Sequence, residues 1–179
     1  MKYGVVFIII LVLACQRTEY SLFDKTCTCE PIRFDRGILI KDSLNQFTLK
    51  TFESWNPVLR IENNKSLVIF GDSVNGSLST VGINYGSYLP PWDWEEEVQL
   101  FSQDFELTNF GHTDYKGDTL YWVDVEEYDS YFRSRYIIQV DREKNKMLGI
   151  MLVTSDTVQP DTRICEMESI LETIKIIGD

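Results

Sequence analysis

Histidine is nearly absent from this chain: among 179 residues His112 is the only one. Any nucleophile that needs an imidazole base therefore has a single base to draw on. No apolar run reaches the ~20 residues of a membrane-spanning helix. Gly-rich phosphate loops, the H-E-x-x-H zinc motif and the dinucleotide fingerprint are missing, which removes the commonest nucleotide and metalloprotease chemistries. Basic side chains are in deficit, 17 against 28 acidic, for a net charge of −11. Such a surface repels phosphate backbones and anionic head groups, so nucleic acid is excluded as a natural partner. Internal repeats and low-complexity tracts are absent too. With 44% hydrophobic residues the chain can bury a core and is no disordered polymer.

What is present begins at the N-terminus. Lys2 precedes an apolar run from Gly4 to Ala14, and Cys15 closes it before the polar QRTEYS. A positive n-region and a short apolar h-region form a secretory signal. Val12-Leu13-Ala14-Cys15 resembles the lipobox of bacterial lipoproteins, which implies cleavage before Cys15 and acylation of its thiol. Residues 1–14 are then a removable signal, residues 15–31 a lipidated flexible tether, and residues 32–179 one globular domain. A single acyl chain binds a membrane only marginally; the two or three implied by the resemblance anchor firmly. Gln16 is not an inner-membrane retention Asp, so the outer membrane is favoured, with either face open. Because Lys2 is the only charged residue of the signal, the remaining 165 residues carry 16 basic and 28 acidic groups, a balance of −12.

Cys27, Cys29 and Cys165 are left, in a compartment where disulfides persist. One staple between the C-x-C pair and Cys165 is expected, its partner not fixed by spacing. Three thiols with His112 are an alternative zinc set, although C-x-C lacks the usual spacer.

Short strands dominate from Ile32. Leu59–Ile61 and Ser66–Phe70 flank Glu62-Asn63-Asn64-Lys65, a hairpin signal. Residues 80–85 form a further strand. Residues 92–106 predict a helix after Pro90-Pro91, with Trp94, Val98, Phe101 and Phe105 on one stripe. Residues 119–127, 131–140 and 147–155 predict an antiparallel meander. In its middle strand Phe132, Tyr136, Ile138 and Val140 mark a buried face, with Arg133, Arg135 and Gln139 on a partly wet one. The third strand is apolar on both faces, which places it inside a sheet. Asp161 or Thr162 caps a last helix whose stripe is Ile164, Met167, Ile170, Leu171 and Ile174. The order predicts an α+β layered domain with a largely antiparallel sheet.

Few residues carry chemistry. Gly71-Asp72-Ser73 is similar to the motif of certain esterases, with Ser73 as nucleophile and His112 as base; a turn after a strand is the plainer reading. Asp124 and Glu126 share one strand face and form a carboxylate pair for an alternative hydrolase, but Arg133 and Arg135 opposite them more simply make cross-strand pairs. Tyr85, Tyr88, Trp92 and Trp94 gather around Pro90-Pro91 as a candidate binding patch; tryptophans that anchor the helix start in the core are the plainer reading. Asp-(Ser/Thr)-apolar occurs at Ser43, Ser73, Thr119 and Thr157, against roughly one match from composition. It is similar to the O-glycosylation sequon of exported Bacteroidota proteins.

Asn45-Gln46-Phe47-Thr48-Leu49 with Ser54-Trp55-Asn56-Pro57, then Leu67–Ser73, the Tyr131–Ser155 hairpin, and the closing Glu168-Ser169-Ile170-Leu171 with Ile174 resemble PsbP-like domains. The resemblance implies an α/β/α sandwich around an antiparallel sheet. Plant members are extrinsic subunits of photosystem II, a fungal relative binds the GTPase Ran, and bacterial relatives are mostly exported lipoproteins. It brings no catalytic residues and no cofactor. The expectation is a membrane-tethered, non-enzymatic binding or adaptor domain with an envelope protein as partner, the alternatives being the hydrolase and a purely structural envelope component.

Overall fold

The computed structural model describes residues 23, 29–74, 76–89, 91–126 and 131–177. Two sheets share one core. The smaller holds β1 (Ile38–Lys41), β2 (Phe47–Thr51) and β10 (Lys175–Ile176), in the order β1-β2-β10. The larger is built from β3 (Val58–Glu62), β4 (Lys65–Val74), β5 (Ser77–Ser87), β6 (Glu106–Tyr115), β7 (Asp118–Glu126), β8 (Arg133–Asp141) and β9 (Lys146–Thr154). Its order is β3-β4-β5-β9-β8-β7-β6, antiparallel throughout. Helix α1 (Trp94–Asp104) lies on one face. Helix α2 (Pro160–Met167), continued by a 3₁₀ turn over Glu168–Glu172, lies on the other. This is an α+β architecture with helices on both sides of a largely antiparallel sheet.

Local chemistry sets the elements. Asn63 and Asn64 adopt φ 50° and 61°, the left-handed pair that a two-residue hairpin loop requires. Lys116 and Gly117 do the same between β6 and β7. Asp42 holds the β1–β2 turn by accepting from the backbone N–H groups of Leu44, Gln46 and Phe47. Asp93 caps α1 by accepting from the N–H of Glu95 and Glu96 at 2.8 and 3.1 Å. Pro160 opens α2, where its missing N–H costs nothing.

The core lies between the large sheet and α2 with the small sheet. Phe47 and Leu49 of β2, Val81 and Ile83 of β5, Ile150 and Leu152 of β9, and Met167 and Ile170 are nearly or fully enclosed in one cluster. β9 is the central strand of seven, in keeping with its apolar residues on both faces.

Several expectations need correction. The helix runs over Trp94–Asp104 rather than 92–106, and the residues after it form β6, an edge strand the sequence pattern does not announce. Gly71-Asp72-Ser73 is not a turn: all three lie within β4. Neither Asp161 nor Thr162 caps α2; Gln159 holds the cap position without a side-chain bond, and Asp156 accepts from the N–H of Val158 and Gln159. Both faces of β8 are covered, Ile138 being buried on the expected face and the supposedly wet face being buried too. Arg135 and Ile137 point into the core, while Tyr136 meets α1. Cys29, within the expected tether, belongs to the fold: it is buried and disulfide-bonded.

Candidate binding surface

The disulfide joins Cys29 to Cys165, with Cα atoms 6.2 Å apart. It takes two thiols from the zinc set, and His112 sits on the far edge strand, β6. No group of three or more metal-ligating side chains occurs among the described residues. Cys15, Cys27 and the signal lie outside the described residues.

The carboxylates of β7 are paired across the strand. The register sets Asp124 against Arg135 and Glu126 against Arg133. Arg135 donates to both Asp124 oxygens at 2.5 and 2.7 Å and also to Glu168. Glu168 is completely buried. Burial opposes the guanidinium charge, but Asp124 and Glu168 more than offset it and hold the Arg135 pKa above its ordinary value. The guanidinium also lies over the rings of Trp122 and Phe23, 5.1 and 5.4 Å from their centroids. Arg133 reaches Glu126, and Asp161 at 3.8 Å. Beside these residues opens a polar cleft of about 190 Å³ that Thr108, Asn109 and Cys165 also line.

The hydrolase residues do not meet. Ser73 is on β4 and His112 on β6, five strand intervals apart in the sheet, or roughly 24 Å at ~4.8 Å per strand. Asp72 beside Ser73 is held by Arg163 at 2.8 Å. Of the glycosylation candidates, Ser43 and Thr157 are exposed outside the strands, Ser73 is exposed within β4, and Thr119 is half-buried in β7.

The aromatic patch divides. Tyr85 is buried on the core face, 6.2 Å from Phe47, because strand alternation turns it away from α1. It leaves the patch, and Tyr88 is half-buried with its N–H donating to the Asn145 carbonyl. Trp92 and Trp94 instead join Tyr121, which sequence spacing did not single out, at 5.0 and 5.3 Å. His112 lies 6.1 Å from the same ring, its strand partner in the β6–β7 register. Phe101 and Phe105 seat the far end of α1 on Tyr136. All three rings of the cluster are part-exposed, and the buried indole N–H of Trp92 has no acceptor among the described residues.

The seven-stranded antiparallel sheet with a helix on each face defines an α+β domain, and its fold has a known counterpart. Among solved structures, the chain is similar to cyanobacterial PsbP (CyanoP) from Synechocystis sp. PCC 6803, determined in solution. The TM-score is 0.53 at 12% identity, over 78% of this chain and 92% of that one. At such identity the likeness is one of fold. No protein-family pattern matches the sequence, and no curated protein does.

Proposed function

We propose that this protein is a lipid-anchored envelope lipoprotein whose PsbP-like domain is a non-enzymatic binding or adaptor module, with the Trp92–Trp94–Tyr121 surface as its docking face. One observation carries the reading: part-exposed aromatic side chains converge at the start of α1 on a fold otherwise packed around one core. Aromatic residues are enriched where proteins dock, because they bury large area at low entropic cost. The anchor rests on Val12-Leu13-Ala14-Cys15. Acylation there would hold the domain on the outer membrane without a spanning helix, and none of the described helices is long and apolar enough to span. O-glycosylation at Ser43 or Thr157 is compatible with their exposure.

The test pairs palmitate labelling and globomycin-sensitive processing with the Cys15→Ala variant. Loss of both label and processing in the variant supports the anchor. Continued processing without label makes the domain a released, soluble protein, and the tethered adaptor falls.

A further inference from the structure

From Ser66 to Tyr115 the chain contains no lysine or arginine, and eight aspartates and glutamates. Seven of them, Asp93, Glu95, Glu96, Glu97, Asp104, Glu106 and Asp114, lie on α1, its cap and β6. None has a cationic partner among the described residues, whereas the acids facing α2 are nearly all paired with arginine. Helix stabilisation accounts for part of this, since acids in a first turn complement the helix dipole. It does not account for Asp104, which sits in the last turn of α1 where the dipole disfavours negative charge, nor for Glu106 and Asp114 on the edge strand.

We infer that the α1–β6 face recognises a cationic polypeptide segment, one presenting arginine or lysine side chains to the aromatic cluster; this deepens the docking reading above and rests on it. The outer stripe of α1 reads Glu96, Leu100, Asp104, with Leu100 57% exposed between the two acids. That alternation matches a long basic side chain, whose methylene stem covers apolar surface while its head reaches a carboxylate. Trp92, Trp94 and Tyr121 supply part-exposed ring surface for a guanidinium. A sugar fits less well: Trp92 and Trp94 meet Tyr121 at 65° and 40°, so the cluster offers no flat platform. Eleven helical residues give roughly 16 Å of surface, the span of about five extended residues.

The experiment uses the full chain and a fluorescent (Gly-Arg)₄ peptide, read by anisotropy at low and moderate salt. Glu96→Lys with Asp104→Lys reverses two exposed acids on this face. Asp35→Lys with Glu53→Lys makes the same net-charge change on exposed residues beside the small sheet. The first pair is expected to weaken binding by at least about tenfold and the second by less than about twofold, with Trp94→Ala lying between. Equal losses in both pairs, or equal binding of (Gly-Glu)₄, overturn the inference. A photoreactive residue replacing Leu100 in the native host separates this from the broader reading. A cross-link to a partner segment without basic residues sinks the cationic specificity and leaves the docking face intact. Absence of any cross-link from position 100, together with no peptide binding, removes both.

Discussion

Arg135 shows what a single residue contributes here. Its guanidinium is enclosed, bidentate to Asp124 and bonded to Glu168, which is itself fully buried. Removing one partner of a buried pair leaves an uncompensated charge, so Glu168→Ala is expected to cost about 3–5 kcal/mol in urea unfolding. An Asp124→Leu, Arg135→Met, Glu168→Leu triple variant, which removes every charge of the network, should recover most of that loss; no recovery would mean that packing, not charge, dominates. The Asp124–Arg135 and Glu126–Arg133 pairs were legible in the sequence because they follow from strand alternation. Glu168 was not, since it arrives from an element 33 residues away, and without it the arginine face of β8 reads as wet. A second network titrates. Lys116 at 2.8 Å, then Tyr115, hold the Glu172 carboxyl below its ordinary 4.5, and Glu172 in turn holds Lys116 above its ordinary 10.5. A depressed carboxylate stabilises above its unfolded pKa and loses that contribution as pH falls through the folded value. Raised Lys116 is the mirror case, its contribution lost as pH rises through its folded value. Because both groups are largely exposed, solvent screening limits Glu172→Gln to within about 1 kcal/mol at pH 7. The difference from wild type should shrink in a thermal-melt series as pH falls from the ordinary 4.5 through the lower folded-state value.

At the scale of elements, legibility follows burial and turn chemistry. β7, β8 and β9 were readable as a meander and the β3–β4 hairpin from Asn63-Asn64, because interior strands and two-residue loops leave strong patterns. β6 was missed. It is an edge strand with a bulge between Leu107 and Asn109, mostly exposed, and its polar sequence carries no alternation. Only Lys116-Gly117, a two-residue loop before β7, signalled it. Tyr121 was missed from the surface for the same reason, since its neighbour there is a strand that the pattern does not show. The N-terminal boundary was set too late because a disulfide pairing is invisible to spacing. Cys29–Cys165 closes a separation of 136 residues, and Cys29→Ser is expected to cost about 2–5 kcal/mol. Non-reducing peptide mapping should return the Cys29–Cys165 pair in wild type; a Cys27–Cys165 pair would overturn this connectivity. α1 buries no residue fully and depends on its cap. Asp93→Ala should therefore cost about 1 kcal/mol, seen as faster amide exchange confined to α1.

For the whole molecule, the question is whether two sheets make one cooperative unit. The smaller sheet is little more than the β1–β2 hairpin, since β10 adds only two residues, and an isolated two-stranded hairpin is marginal in water. Its β2 supplies Phe47 and Leu49, both fully buried, to the same cluster as Val81, Ile83 and Leu152 of the large sheet. Ile177 beyond β10 donates its N–H to the Gln46 carbonyl, and Lys50 of β2 donates its N–H to Thr173. The last described segment is thus tied to β2 and the turn before it, and the disulfide ties α2 to Cys29. Phe47→Ala is therefore expected to destabilise the entire domain by about 3–5 kcal/mol instead of melting the small sheet alone. The tryptophans provide the check, because Trp55 and Trp122 are buried in the shared core while Trp92 and Trp94 are part-exposed at the start of α1. A single unit requires tryptophan fluorescence and far-UV circular dichroism to lose signal at one urea midpoint, shifted equally in the variant. Two separated transitions, with only the earlier one moved by Phe47→Ala, would divide the domain into independently folding sheets.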